Sequence, residues 1–279
     1  MWTEAQLGED LRELGLAEGD SVLVHSSLRA IGPIEGGAET LVRAFRQALG
    51  PTGTLMVPTF TFDHSDPAGW NEPPATLEAL KKARAAVTVF DVNTSPTHTN
   101  WIGVFPEIVR QQPDAHRSDH PVVSFAAVGA NAEFLTQNAP FHYPLGSESP
   151  IARLHQLGGK ILLLGVGHKS NSALHLAEVW ANVPYIHRSV KLKTGPRAWT
   201  VMHGSPECSE GFGKIEPLLR QSRILKSGYI GNAPSQLMRV RQLISMAIAL
   251  LQGDGAALLC DYPECRWCSV ARKFTAEPR

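Results

Sequence analysis

The chain has 279 residues, 43% hydrophobic and 19% charged, with 26 Lys and Arg against 26 Asp and Glu. That balance leaves no electrostatic footprint for nucleic acid or an anionic membrane, and no apolar run approaches the length needed to cross a bilayer. The first residues, Met1 to Gln6, lack the basic and apolar regions of a signal peptide, so a cytoplasmic protein is expected, one large domain with its four cysteines reduced or metal-bound.

Thr3 to Gln6 reads as a capping box, and Leu7, Leu11 and Leu14 follow at helical spacing. Residues 15–19 carry the stop. Residues 21–25 form a short strand. The step His25-Ser26-Ser27-Leu28, with Gly32, Pro33, Gly36 and Gly37, then leads into a helix over residues 38–49, and residues 54–58 make a second strand. Strand, loop, helix and strand in that order form a βαβ unit with parallel neighbours. Residues 59 to about 100 are rich in Pro, Asp and Thr and include Asp63, Asp66 and Glu72. A loop of that length in a compact domain is functional or disordered. Residues 101–112 read as a helix that Pro106 kinks or starts, 124–128 as a strand, 130–138 as a short helix, 141–149 as a Pro/Gly loop and 150–157 as a helix.

Lys160 opens a continuous apolar run ending at Gly165, as a buried strand would show. Gly165 and Gly167 allow a tight turn, and Ser170 or Asn171 caps a helix with apolar positions at Ala173, Leu174, Ala177 and Val179. Open α/β sheets place their sites where a strand end meets a helix start. His175 and Glu178 share one face of that helix, and His168 sits in the loop before them. Such a pair suits a general base and the group that orients it; it equally suits a solvated helix pair. Further on, residues 189–194 and 197–202 alternate around Gly195-Pro196, a hairpin with one wet face. Helices are predicted over 210–223 and 235–251, the second with Leu237, Val240, Ile244, Ile248 and Leu251 on one face.

Cys265 and Cys268 form a tight ligand pair, with Cys260 just upstream and Cys208 after the hairpin. Four thiolates would complete a closed, structural zinc site pinning the C-terminal tail to the hairpin region, with His203 as a substitute ligand. A buried apolar thiol is the plainer role for Cys260.

The stretch from Gly165 to Glu178 resembles the aminoglycoside 3-N-acetyltransferase family, whose members read Leu-Leu-Gly-Val-Gly-(Tyr/His)-x-x-Asn-(Thr/Ser)-x-His-Leu-(Ala/Ser)-Glu. The resemblance continues through Val24-His-Ser-Ser-Leu-Arg-Ala-Ile-Gly32, Gly36-Gly37, Gly53 to Thr59, Arg117-Ser-Asp-His-Pro121 and Ser124 to Ala127, covering roughly residues 5 to 250. Several blocks in the right order are more specific than any one motif. The resemblance implies an α/β fold: a central mixed, largely parallel sheet flanked by helices, with a smaller C-terminal hairpin-plus-helix part. It implies one acetyltransferase domain over 1–279, with a C-terminal subdomain carrying the cysteines over 184–279. It implies acetyl-CoA as co-substrate, the 3-amine of a deoxystreptamine antibiotic as acceptor, and resistance as the outcome. It also singles out His175 over His168 as the catalytic histidine, since the first position varies to Tyr.

Acetyl transfer to an amine needs a base, a donor for the tetrahedral oxyanion, acidic groups for a polycationic acceptor, and hydroxyls, backbone N–H groups and positive charge for the phosphates of CoA. On that footing His175 is the expected base, and Glu178 orients it or meets an acceptor amine. Asp63, Asp66 and His168 are expected at the acceptor. His25, Ser26, Ser27, Leu28, Ile31 and Gly32 are expected at CoA, with Thr97, Thr99 and Gly103 and with Arg117, Ser124 and Phe125. Apart from the resemblance, the serines are turn formers, Arg117 a structural ion pair and His120 a packed loop histidine. No cysteine lies in the matching blocks to carry an acyl group, so direct transfer in a ternary complex is expected, by a monomer or homodimer. Two alternatives stand beside this reading. One is a zinc-dependent amidohydrolase with His168 and His175 as ligands, although no His-x-His or His-Glu-x-x-His spacing occurs. The other is a non-enzymatic module that binds nucleotide or a partner protein, or else a CoA-binding protein acting on another amine. A Gly-x-Ser-x-Gly elbow and the third glycine of a dinucleotide fingerprint are both missing.

Overall fold

A computed structural model describes residues 1–70, 72–205 and 208–275. Helix α1 (Glu4–Leu14) opens on the capping box: the Gln6 N–H donates to Thr3 Oγ1, and Gln6 Oε1 accepts from the Thr3 N–H. Strand β1 (Ser21–Ser26), the one-turn helix α2 (Leu28–Ile31), helix α3 (Ala38–Leu49) and strand β2 (Thr54–Pro58) come next, and β1 pairs with β2 in parallel as the βαβ reading requires.

The long region after β2 contains two 3-10 turns, Phe62–His64 and Pro67–Gly69, and helix α4 (Leu77–Ala86). No residue of α4 is buried. A helix without a buried face carries no hydrophobic period to read; its local mark is the Thr76 cap, which accepts from the Ala79 N–H. The helix expected over 101–112 is split into α5 (Thr99–Ile102) and α6 (Phe105–Arg110). Gly103 between them has φ 81°, and Pro106 sits in the first turn of α6.

Strands β3 (His116–Arg117) and β4 (Phe125–Gly129), helices α7 (Ala132–Thr136) and α8 (Pro150–Gln156), strand β5 (Lys160–Leu164) and helix α9 (Ala173–Trp180) complete the middle of the chain. Then come the hairpin β6 (Ser189–Lys193) and β7 (Trp199–His203), a 3-10 turn Phe212–Ile215 running into α10 (Glu216–Gln221), strands β8 (Lys226–Ile230) and β9 (Ala233–Arg239), and helices α11 (Val240–Gly253) and α12 (Arg266–Thr275).

Seven strands form one sheet in the order β3-β4-β2-β1-β5-β9-β8, and β6 and β7 form a separate ribbon. The sheet is mixed, as expected, but not largely parallel. Only β1 with β2 and β1 with β5 run parallel; the other four pairings are antiparallel. The difference arises at β9, where the apolar spacing predicts a helix from residue 235. That spacing fits a helix, yet Ala233, Ser235 and Leu237 also alternate inward, and Leu162 opposes Leu237 across the ladder. Gly231, at φ 57°, turns β8 into β9 in a two-residue hairpin. After residue 184, β8 and β9 lie in the main sheet, and Leu192 and Met202 of the ribbon and Cys260 and Cys268 of the tail join the core on one of its faces.

Both faces of the sheet are covered. Ile161 and Leu163 of β5 point into a core with α8, α9 and α11, while Leu162 and Leu164 point into one with α1, α3 and α6. Among the described residues no helix is long and apolar enough to cross a membrane.

Candidate active site

Strand β5 is buried on both faces, so the turn at its end is held by the core. Gly165 takes φ 66°, and a Cβ added there would lie 2.4 Å from the Cβ of Ala30, so the turn admits only glycine. A 3-10 turn, His168–Ser170, leads to Asn171, whose Oδ1 accepts from the Ala173 N–H and starts α9.

Helix α9 turns His175 and Glu178 inward, 8% and 5% exposed, so the pair is not a solvated one. His175 Nδ1 lies 2.7 Å from Glu178 Oε2. The other oxygen, Oε1, accepts from the Tyr185 hydroxyl at 3.1 Å. The imidazole meets the Phe212 ring edge-on, with centroids 4.8 Å apart. A carboxylate only accepts, so the pairing assigns the imidazole proton to Nδ1 and leaves Nε2 as the accepting nitrogen.

The end of β1 lies beside this turn: the Ser27 N–H donates to Leu164 O at 2.9 Å. Gly103 at the end of α5 packs over it; a Cβ added to Gly103 would lie 3.7 Å from Ser26 O. Four buried polar atoms here have no protein partner: His25 Nε2, Ser26 Oγ, Thr97 Oγ1 and His98 Nδ1. Buried polar groups are otherwise nearly always paired, so this cluster of unpartnered atoms makes the end of β1 a candidate ligand site. Burial pushes His25 down to about 3, which keeps that ring neutral.

The Asp63 side chain is 69% exposed and lies 3.5 Å from His98 Nε2. Trp101, exposed, packs on Phe62 and His98 with centroids 5.7 and 5.6 Å apart. The four cysteine sulfurs lie within 4.8 Å of one another. A tetrahedron of zinc–sulfur bonds near 2.3 Å spaces its sulfurs about 3.8 Å apart, so the donor set fits zinc. Burial pushes the Cys208 thiol up to about 12; Cys265, although burial raises it too, is brought to about 7 by the N–H groups of Cys268 and Trp267.

The family model for aminoglycoside 3-N-acetyltransferases matches residues 23–252. The chain belongs to this family. It is 35% identical over 268 residues to aminoglycoside N(3)-acetyltransferase VII of Streptomyces paromomycinus, covering 90% of this chain and 91% of that one. Among solved structures, a mutant of the aminoglycoside acetyltransferase AAC(3)-IVa in complex with gentamicin superposes with a TM-score of 0.81 at 34% identity, covering 98% and 97% of the two chains. The binary complex of AAC-IIIb with CoASH gives 0.78 at 30% identity, covering 90% and 96%.

Several residues expected at ligands in this acetyltransferase family member have other partners. Asp66 is the clearest correction: Arg84 Nε and Nη2 hold its two oxygens at 2.9 and 2.8 Å, and the Ala68 N–H donates to it as well. The Arg84 guanidinium holds that carboxyl below the usual carboxylate range. Arg117 is a brace. Its Nε reaches Ser124 Oγ at 3.1 Å, Nη1 reaches Ser95 O and Nη2 reaches Thr59 O. Its guanidinium also stacks on Phe90. Burial brings this Arg down to about 10. Ser124 is fully buried and donates to Thr59 O, and Phe125 is fully buried against Phe60. His168 is 1% exposed, its Nδ1 3.3 Å from Asn171 Nδ2, so it supports the turn from inside. His120 is buried too, and its Nδ1 accepts from the Val122 and Val123 N–H groups, the packed loop role expected. Ile31 is fully buried and His25 nearly so, while Ser26, Ser27 and Leu28 of the β1 block keep partial exposure. His203 Nδ1 pairs with Ser189 Oγ rather than joining the thiols. Among the described residues only the cysteines cluster closely enough to hold a metal, so His168 and His175 do not form the ligand pair of an amidohydrolase. Sequence patterns do not reveal Tyr185 and Phe212, which reach His175 and Glu178 only through the tertiary fold.

Proposed function

We propose that this chain transfers the acetyl group of acetyl-CoA to the 3-amine of deoxystreptamine aminoglycosides and thereby confers resistance to them. The observation that carries the reading is the His175–Glu178 pair, hydrogen-bonded at 2.7 Å inside the family's signature stretch. The proteins of known complexes that this chain resembles bind CoASH in one case and gentamicin in another.

In this mechanism both substrates are bound before chemistry. His175 Nε2 takes a proton from the acceptor amine as its nitrogen attacks the thioester carbonyl. The C–N bond forms, the C–S bond breaks, and the CoA thiolate leaves and is reprotonated. Glu178 holds the imidazole in the required tautomer and offsets the positive charge it gains. His25, Ser26, Ser27 and Leu28, with Thr97, Thr99 and Gly103, receive CoA, and the unpartnered atoms of His25, Ser26 and Thr97 support that assignment. Asp63 attracts an acceptor ammonium while Trp101 offers a ring face to a sugar. Cys208, Cys260, Cys265 and Cys268 would hold one structural zinc, and four filled positions leave it no part in the reaction. Reduced thiols of this kind suit a cytoplasmic setting. Release of free thiol from acetyl-CoA on adding gentamicin or apramycin is the expected result; no release with any aminoglycoside would overturn the reading.

A further inference from the structure

Helix α9 ends at Trp180, and the chain reverses at once. Asn182 adopts φ 52°, and the Val183 N–H donates back to Glu178 O at 3.3 Å. Val183, Pro184 and Tyr185 then run under the helix, and the Tyr185 ring joins the same core as Ala173, Leu174 and Phe212. Tyr185 is 9% exposed and Glu178 is 5% exposed. A buried phenol needs an acceptor and a buried carboxylate needs donors. Each oxygen of Glu178 has one: His175 Nδ1 at Oε2 and the Tyr185 hydroxyl at Oε1. Burial first, and the Glu178 charge second, push the Tyr185 hydroxyl far above its ordinary range, with Cys268 and Asp254 adding in the same direction. The hydroxyl therefore stays protonated and can only serve Glu178 as a donor.

We propose that Tyr185 is a positioning residue for acetyl transfer: its hydroxyl fixes the Glu178 carboxylate so that His175 keeps its proton on Nδ1 and offers a bare Nε2 to the amine. This rests on the acetyltransferase reading above. Removing the hydroxyl leaves Oε1 in the core without a donor, and the carboxylate becomes the stronger base. Two outcomes are open to the pair, and they converge. In both the pair holds one proton more than at rest, taken from solvent: either the imidazole carries both, or Glu178 holds one and donates it to Nδ1 while the ring carries the other on Nε2. Both fill the lone pair that must accept the amine's proton.

The test is Tyr185→Phe, which keeps the ring and its packing, read three ways. The kcat is expected to fall about tenfold or more while KM for acetyl-CoA changes less than about twofold. The acid limb of the kcat–pH profile is expected to move to higher pH. In 15N NMR of the unliganded protein, His175 Nε2 is expected to gain its proton at higher pH than in the wild type. A 3-fluorotyrosine in place of Tyr185, a stronger donor in the same ring, should move both pH readouts the other way. A fall in kcat with both pH readouts unmoved would mean a purely structural tyrosine and would overturn the proposal, as would unchanged kcat. The NMR arm needs no substrate: wild-type protein without turnover but with the shift would remove the acetyltransferase reading and leave the hydrogen-bond chain standing.

Discussion

On α9 the side chains of His175 and Glu178 are neighbours on one helical face, nearly dry, with a partner on each polar atom of Glu178. In the 59–100 loop Asp63 sits on one 3-10 turn, open to solvent, while Asp66 caps the next and is held by Arg84. The loop is tied down from a distance, by the Asp66 N–H to Lys191 O, by Ser65 bridging Leu192, and by Arg266 of the tail to Trp70 O. The contrast separates two tasks. Proton transfer needs atoms fixed against a rigid core, whereas attracting a polycation needs charge that stays in water. In the proposed function the sheet and α9 would serve the first, and the 59–100 loop with Asp63 the second.

If that division holds, the imidazole carries the largest effect. His175→Ala should lower kcat about a hundredfold or more, the general-base range, with acetyl-CoA affinity by calorimetry unchanged. A variant as fast as the wild type would make the α9 pair a structural one. Asp63→Asn should act on the other side of the division, raising the acceptor KM about two- to fivefold, as an exposed charge pair allows, and less so at high salt. An equal loss in kcat instead would place Asp63 in the chemistry and blur the contrast. Metal removal should have the smallest effect on rate. Gently purified protein is expected to hold about one zinc per chain, and chelation should lower Tm while the surviving folded enzyme keeps most of its turnover. Protein free of zinc as isolated, with a Tm that chelators do not move, would reject the site.

How legible each part is in the sequence depends on how local it is. The His175–Glu178 pair lies within one helical turn, so spacing alone puts both on one face, though only the fold shows that face to be buried. The capping box at Thr3 and the β6–β7 ribbon are readable for the same reason. Asp66 looks free in the sequence because its partner Arg84 lies on a helix with no buried face, and Arg117 looks free because its donors turn toward loops distant in sequence. Strand β9 reads as helix because Leu237 falls in helical phase with Val240 and Ile244 of the helix that follows, and only pairing with β5 decides against it. Tyr185 leaves no mark in the pattern; the αL residue Asn182 creates its contact with Glu178.

The most direct measurement is thiol release from acetyl-CoA with paired acceptors that differ only at the 3-amine, one free and one already acetylated. Turnover with the free amine and none with the blocked one is the predicted result. Equal turnover on both would show that the amine presented to His175 is a different one, and would contradict the assignment of the 3-amine as acceptor.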